Sequence, residues 1–559
     1  AETDSGIEST KTATKWYSIG SMDPAEKQNL MITFSNRGAG IERIELTARG
    51  KDGSLAYRRV DTRSGYLGYF AGEPSVVLDG VVVNVVGSGT PAAVAVASTG
   101  EKALRVGDVI IAIDETPVAT VFDIRDALIE TKPGDEVNVE VIRADGEDSA
   151  ASPLIFQATL TEHPLDLVRL AKYGGADQII GNESRLSCLM TLAQVGRKGI
   201  AAGKRSLDSL GDPADRMWTA DVKIGEDGSQ TIQFETTIGQ ASLEKVDGEA
   251  VGMKRSYTIH RDSYIVDMDL EVINLGKETQ DLAIRLEGPN GITSEGWWYS
   301  NKITPNFFGG AAARDVAYKT AADGRKFISG MNLLKKARDT PEEPDTGIFA
   351  GDSSEAARDL KYIAVDAQYF AVAYIPPQEN ASLDGLNRAS ANVVADPAKI
   401  ERHKERAIND SFFFNTETVE IPPGDGIRRS LKMYAGPKVP DEIESHGIGD
   451  LIYYGWFSFF SSLLSGLLHF LQSIVGNYAI AIILLTVIVR GCMFPLSRNA
   501  AINAQRMQEL APEMKKIAEK YKDDMEGRLK AQQALQKRVG FNPLAGCLPM
   551  FLQLPIFMG

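Results

Sequence analysis

Arg490 has the sharpest chemical constraint on it of any residue in this 559-residue chain. It sits inside the apolar run 478–496, YAIAIILLTVIVRGCMFPL. Putting a guanidinium into hydrocarbon costs at least ~2.5–3.5 kcal/mol, so such a residue faces protein or a water-filled cavity. The rival placement is snorkelling, because Arg490 lies near the end of the run and its head could reach a headgroup layer. Thr486 is one helical turn earlier and puts a second polar group on the same face. That pairing favours a wet, positively charged groove.

The second constellation is Tyr66-Leu67-Gly68-Tyr69 in the string GYLGYF. It is followed by GVVVNVV, by GTPAAVAVASTGEKALRVGDVIIAIDETPV, by a short helix near 121–130, and by KPGDEVNVEVIR. This succession over 64–163 resembles a PDZ domain. The resemblance implies that backbone N–H groups of the 66–69 turn receive a peptide's terminal carboxylate, while the neighbouring strand edge accepts an extended peptide. Peptide C-termini are then partners of the insert. The alternative is a spacer, since fold alone does not carry function.

Catalytic chemistry finds little footing. His163, His260, His403 and His446 are scattered, and neither H-E-x-x-H nor G-x-S-x-G occurs. Cys188, Cys492 and Cys547 form no disulfide framework or metal-ligand pattern. The reading is of a protein that is not an enzyme, with no catalytic residues, no metal, no cofactor and no nucleic acid as direct partner. Two rivals stay open: an enzyme built on a sugar-processing type of sandwich, and a PDZ-bearing membrane protease of some other serine/lysine arrangement.

The elements that must hold these residues follow from charge and periodicity. The net charge of −15 is an average over unlike zones. Residues 451–489 carry no Asp, Glu, Lys or Arg, residues 496–540 hold ten basic against six acidic residues, and 1–450 is strongly acidic. Residues 1–27 read as a polar linker. From 28 on, apolar and polar residues alternate, as in Val266, Met268, Leu270 and Val272 against Asp267, Asp269 and Glu271. Such runs, also at Ile32/Phe34, Ile41/Ile44/Leu46, 282–286, 360–375 and 427–434, predict half-buried antiparallel strands. The fold class is therefore mixed: an antiparallel β-sandwich over 28–63 and 164–440, interrupted by the α+β insert 64–163, then an α-helical membrane region.

In that last region, 441–476 predicts an amphipathic helix. Ser458, Ser461, Ser462, Ser465, His469, Gln472 and Ser473 form one stripe beside Trp456, Phe457, Phe459 and Phe460. Its length permits spanning, but the basic segment that follows favours the side of the membrane away from the acidic domain, so the helix is expected to lie flat in the interface. Residues 477–496 then span. A basic helical hairpin follows over 497–540, with Met507, Leu510, Met514, Ile517 and Tyr521 on an apolar face and a kink or restart expected at Pro512. Residues 541–559 read as the start of a second, truncated span, and Ala1 also reads as an internal beginning.

NYAIAIILLTVIVRGCMFPLS, the basic hairpin and FNPLAGCLPMFLQLPIF together are similar to the YidC membrane insertases. WYSIGSMDP, SNRGAGIERIEL and EGPNGITSEGWWYS resemble that family's periplasmic domain, itself galactose-mutarotase-like. The resemblance implies a multi-pass bacterial inner-membrane protein with its large domain in the periplasm. Arg490 is implied as the groove arginine, Thr486 as a substrate-contacting position, Pro495 as following the first core helix, and 499–539 as a mobile cytoplasmic loop. Implied partners are nascent membrane proteins, the lipid bilayer, the Sec translocon and the ribosome. The PDZ-like insert departs from the commonest family pattern. A membrane-anchored periplasmic scaffold or chaperone is the alternative reading.

Overall fold

The computed structural model describes residues 13–59, 62–143, 153–170, 185–293, 312–377, 385–454, 458–522 and 524–539. The chain divides into two compact units, with the boundary after Leu451.

The first unit is built on antiparallel sheets. Nine strands follow the order 219–224, 230–238, 251–259, 265–274, 426–437, 370–375, 360–366, 315–320 and 326–329. The alternation read at 265–274 appears here as burial. Val266, Met268, Leu270 and Val272 are at most 3% exposed, each contributing ~1.5–3 kcal/mol of transfer free energy. On the other face Arg428 donates to Glu271 at 2.6 Å and Ser430 donates to Asp269 at 2.5 Å. A seven-stranded sheet, with Met190–Val195, Gln280–Glu287, Asp410–Thr416 and Leu386–Val393 among its strands, packs against it. Across that interface the Tyr374 ring meets Phe412 edge-on at 5.2 Å and Phe414 at 6.2 Å.

A third sheet joins Trp16–Gly20, Leu30–Ser35, Gly40–Leu46 and Leu165–Arg169. Phe34 packs on Tyr257 of the nine-stranded sheet at 4.8 Å. The linker expected through residue 27 is thereby corrected. Trp16–Gly20 is a strand in full register with 31–35, and Ile19 is completely buried. Five residues are too few for alternation to stand out, and Tyr17 finds its partner only in Phe234, over two hundred positions away, at 6.3 Å.

The PDZ-like insert folds around its own core, which includes Leu67, Val83, Ile110, Val139, Val141 and Phe156. Its sheet runs 73–74, 81–82, 109–113, 136–142, 153–159 and 96–97. The helix Val121–Leu128 opens on a capping box, with the Thr120 side chain accepting from Asp123 N–H and the Asp123 carboxylate accepting from Thr120 N–H. In RVGDVI, Gly107 has φ +97°, which only glycine adopts freely. Asp108 then takes two 2.7 Å hydrogen bonds from Arg143 in a pair that is almost wholly buried.

The helix expected over 441–476 is not a single element. Pro440–Ser445 and the turn Gly449–Leu451 belong to the first unit and bury Ile443 and Leu451. The long helix begins at Ser458 and ends at Val475. Gly476 at φ +71° reverses the chain into the helix Tyr478–Lys520, whose N-cap Asn477 accepts from Ala479 N–H at 2.8 Å. Both Pro495 and Pro512 lie inside this helix, so the helix expected to end at 496 with Pro495 following it instead runs on through Pro495, and Pro512 does not restart it. The run from 500 to 520, rich in Ala, Gln, Met, Glu and Lys, outweighs the one lost hydrogen bond. A second helix, Met525–Val539, completes the hairpin. Trp456 and Phe457, and the second span expected over 541–559, lie outside the described residues.

Candidate functional site

Two candidate sites exist, one in each unit. In the helical unit, Ser458–Val475 and the first 18 residues of the next helix, Tyr478–Pro495, are each long and apolar enough to cross a membrane. Only 11% of the second window is buried, and Ile483 and Val487 are more than 60% exposed. Apolar exposure of this kind is matched by lipid or a protein partner, not by water. At 1.5 Å per residue, Arg490 stands ~18 Å along the axis from Tyr478, well inside the apolar window. Thr486 and Arg490 are both exposed and one turn apart. The Thr486 hydroxyl donates to the Ile482 carbonyl at 2.8 Å, so its hydrogen is satisfied within the helix and its lone pairs face outward. The helix thus presents one cation and one hydroxyl on an otherwise aliphatic wall.

The polar stripe of Ser458–Val475 is partly internalised. Ser461 is 9% exposed and donates to the Tyr454 carbonyl at 3.1 Å, whereas Ser462, His469 and Ser473 are exposed and bond back to their own helix.

In the first unit, Tyr66, Leu67, Gly68 and Tyr69 stand at the junction between insert and sandwich. Leu67 is buried in the insert's core. Gly68 has φ +144° and carries the turn. Among the described residues, neither the Leu67 nor the Gly68 N–H meets a backbone carbonyl. The two tyrosines point the other way. Tyr66 Oη donates to Glu45 Oε1 at 2.7 Å, and Tyr69 Oη donates to Glu42 Oε1 at 2.6 Å. Glu42 also accepts from Trp16 Nε1 at 2.6 Å, and the Arg43 guanidinium lies 4.5 Å above the Tyr69 ring.

Behind these contacts is a buried charge cluster. Asp166 pairs with Arg43, with Arg59 at 3.0 Å and with Arg169 at 3.6 Å. Burial alone would push the Asp166 carboxyl up, yet the three arginines hold it below the ordinary range. Burial pushes Glu45 up in spite of Arg43. His163, packed 5.0 Å from the Tyr66 ring, is held down at about 4 by burial. It is neutral at physiological pH.

Sequence reading singled out the four turn residues and missed their sandwich partners. The only local signal was a paradox in IERIEL, where glutamates occupy a strand that is otherwise core-like. Glu42 is 3% exposed and Glu45 fully buried. The described histidines do not converge: His163 is at this junction, His260 bonds Asp267 at 2.8 Å on the nine-stranded sheet, and His446 lies against the Tyr434 ring.

Three family descriptions match the chain: "YidC periplasmic domain" over 208–467, "60Kd inner membrane protein" over 470–559, and "PDZ domain" over 53–152. Similar proteins include the membrane protein insertase YidC of Citrifermentans bemidjiense, 24% identical over 68% of this chain, and that of Methylobacillus flagellatus, 27% identical over 59%. Another, from Marinomonas sp., is 33% identical over 35% of the chain. The chain spans 62%, 53% and 33% of these relatives' own lengths. Among solved structures, a galactose mutarotase related enzyme from Lactobacillus acidophilus aligns over 75% of this chain and 97% of its own at 7% identity and a TM-score of 0.28. A putative aldose 1-epimerase from Escherichia coli K12 aligns over 76% and 99% at 8% identity, also with a TM-score of 0.28. Likeness that slight carries no argument, and the sandwich rests on its own strand pairing. The matches to the YidC periplasmic domain and to the 60Kd inner membrane protein adjoin with a gap of two residues, and proteins named membrane protein insertase YidC match up to 68% of this chain; the chain belongs to the YidC family.

Proposed function

We propose that the chain is the sandwich-bearing part and first membrane core of an insertase, which lowers the barrier for polar segments of new membrane proteins to cross the bilayer. The observation that carries the reading is Arg490 with Thr486 on the exposed wall of an apolar helix. A cation held wet in low dielectric attracts a hydrophilic, above all an acidic, segment more strongly than it would in water. Partition of the substrate's own apolar helix into lipid then draws it out sideways. In this reading the protein sits in the inner membrane with the acidic sandwich in the periplasm. Ser458–Val475 lies flat and Tyr478–Pro495 spans. The basic hairpin meets nascent chain, ribosome or anionic headgroups, alone or beside the Sec translocon.

The test is depletion and rescue with the full-length protein carrying Arg490→Ala or Arg490→Lys. Alanine should impair insertion of substrates with charged translocated tails, and lysine should retain most activity because charge matters more than fork geometry. Equal insertion by wild type and both variants would overturn the groove role.

A second reading concerns the insert. Its turn uses tyrosine side chains to dock on the sandwich, while the Leu67 and Gly68 N–H groups meet no backbone carbonyl among the described residues, which suits capture of a peptide carboxylate. Full chain in detergent should bind a peptide with a free C-terminus and not its amide. Equal binding of the two forms would exclude the carboxylate mode and leave the insert as a spacer.

A further inference from the structure

A cavity of about 210 Å³ opens over the outer face of the seven-stranded sheet, lined among others by Lys204, Arg205, Arg285, Asp345 and Asn392. Strand register explains its polarity. Arg285 and Arg388 both stand opposite Asn415, and Phe413 stands opposite Ser390 and Glu287, so these side chains share one face. Phe412 and Phe414, of the other parity, fill the core against Tyr374. A face that alternation would hand to solvent is instead covered, and Arg285 is only 4% exposed.

The side chains there are incompletely matched. The Arg285 guanidinium lies 3.5 Å over the Phe413 ring and its Nη1 donates to the Lys204 carbonyl at 3.2 Å, but its buried Nε has no partner among the described residues. The buried Oδ1 of Asn392 likewise accepts nothing from them. Charge is lopsided. Among the described lining residues Asp345 is the one carboxylate; burial pushes it up, while Arg285, Arg388, Arg205 and Lys336 pull it the other way. Glu287 is already engaged by Arg185 at 3.1 Å. Burial pushes Arg285 down to about 10, against the pull of Glu287 and Asp345.

We propose that this cavity binds a small soluble oxyanion, a carboxylate or phosphate compound of a few carbons that also carries a hydroxyl. The oxyanion supplies acceptors for Arg285 Nε and the surrounding cations, and the hydroxyl donates to Asn392 Oδ1. The volume is below that of drug-sized sites, which excludes a folded partner. This reading is independent of the membrane groove and of the PDZ-like turn.

Calorimetric titration of the full chain in detergent, at constant ionic strength, tests it with citrate, inorganic phosphate and glycerol 3-phosphate. Glycerol is the neutral control, sodium chloride the screening control, and dioctanoyl phosphatidylglycerol the lipid-headgroup control. At least one soluble anion should bind saturably at one site. Arg285→Gln should weaken it tenfold or more, Asn392→Ala should weaken hydroxylated anions several-fold, and the remote Lys223→Gln should leave affinity unchanged. Arg205→Gln, at the half-exposed rim, should weaken it several-fold and serves should Arg285→Gln not fold. The proposal is overturned by absence of saturable anion binding, by glycerol or chloride binding as well, or by unchanged affinity in folded Arg285→Gln or in Arg205→Gln. Tighter binding of the lipid than of every soluble anion also overturns it, in favour of a headgroup site.

Discussion

The hydroxyl of Tyr66, first residue of the insert's Tyr-Leu-Gly-Tyr turn, donates at 2.7 Å to Glu45 Oε1 on the sandwich strand Gly40–Leu46. Both groups are buried. The turn that resembles a carboxylate-binding loop is therefore also the clasp that orients the insert on the sandwich.

Removing that hydroxyl leaves Glu45 short of a donor without changing shape. Tyr66→Phe should cost about 1.5–3 kcal/mol, the range for a hydrogen bond to a charged group in a buried site. Tyr69→Phe should cost less, because Tyr69 is partly exposed and Glu42 keeps its bond from Trp16. Urea unfolding of the full chain measures both, and a Tyr66→Phe loss under 0.5 kcal/mol would contradict the clasp.

His163 makes the same junction acid-sensitive. Its folded pKa of about 4 lies below its ordinary 6.5, so the folded state prefers the neutral ring. The associated stability is complete above pH 6.5 and is lost as pH falls through the window down to about 4, amounting to up to ~3 kcal/mol. The raised Glu45 works in the opposite sense, since acid protonates it more readily in the folded state. The difference between wild type and His163→Gln isolates the histidine. Stability curves for the two that run parallel from pH 7 to 4 would refute the assignment.

Within the insert, Asp108 neutralises a buried Arg143. Asp108→Asn should remove that buried counter-charge at a cost of about 3–5 kcal/mol. Hydrogen exchange should accelerate across 109–113 and 136–142 while strands 251–274 keep their protection, because the insert has its own core. Uniform acceleration in both would show that the two fold as one cooperative unit.

Helix Ser458–Val475 is long enough to span, yet is proposed to lie flat. Single cysteines at Ser462 and Ser473, in a background with the native cysteines replaced, should both react with an impermeant maleimide added from the periplasmic side. Labelling of the two from opposite sides would establish a span instead.

What residue order settled alone is what depends on neighbours in the chain. Strand alternation, the uncharged run 451–489, the basic hairpin and the succession of PDZ-like elements have short periods, and the described sandwich strands and insert follow them, whereas the ends of the helices do not. Arg490 and Thr486 share a helix face by arithmetic, since they are four residues apart. Tertiary structure decided what depends on distant partners. Arg285 sits at a polar parity between Ile284 and Leu286 and reads as solvent-facing, but a segment eighty residues earlier closes over it. Glu42 and Glu45 read as misfits in an apolar strand until Tyr66, Tyr69 and Arg43 surround them. A periodic pattern reports which side of an element faces its sheet or helix partner; only the folded chain says whether the other side meets water, a second domain or a charged pocket.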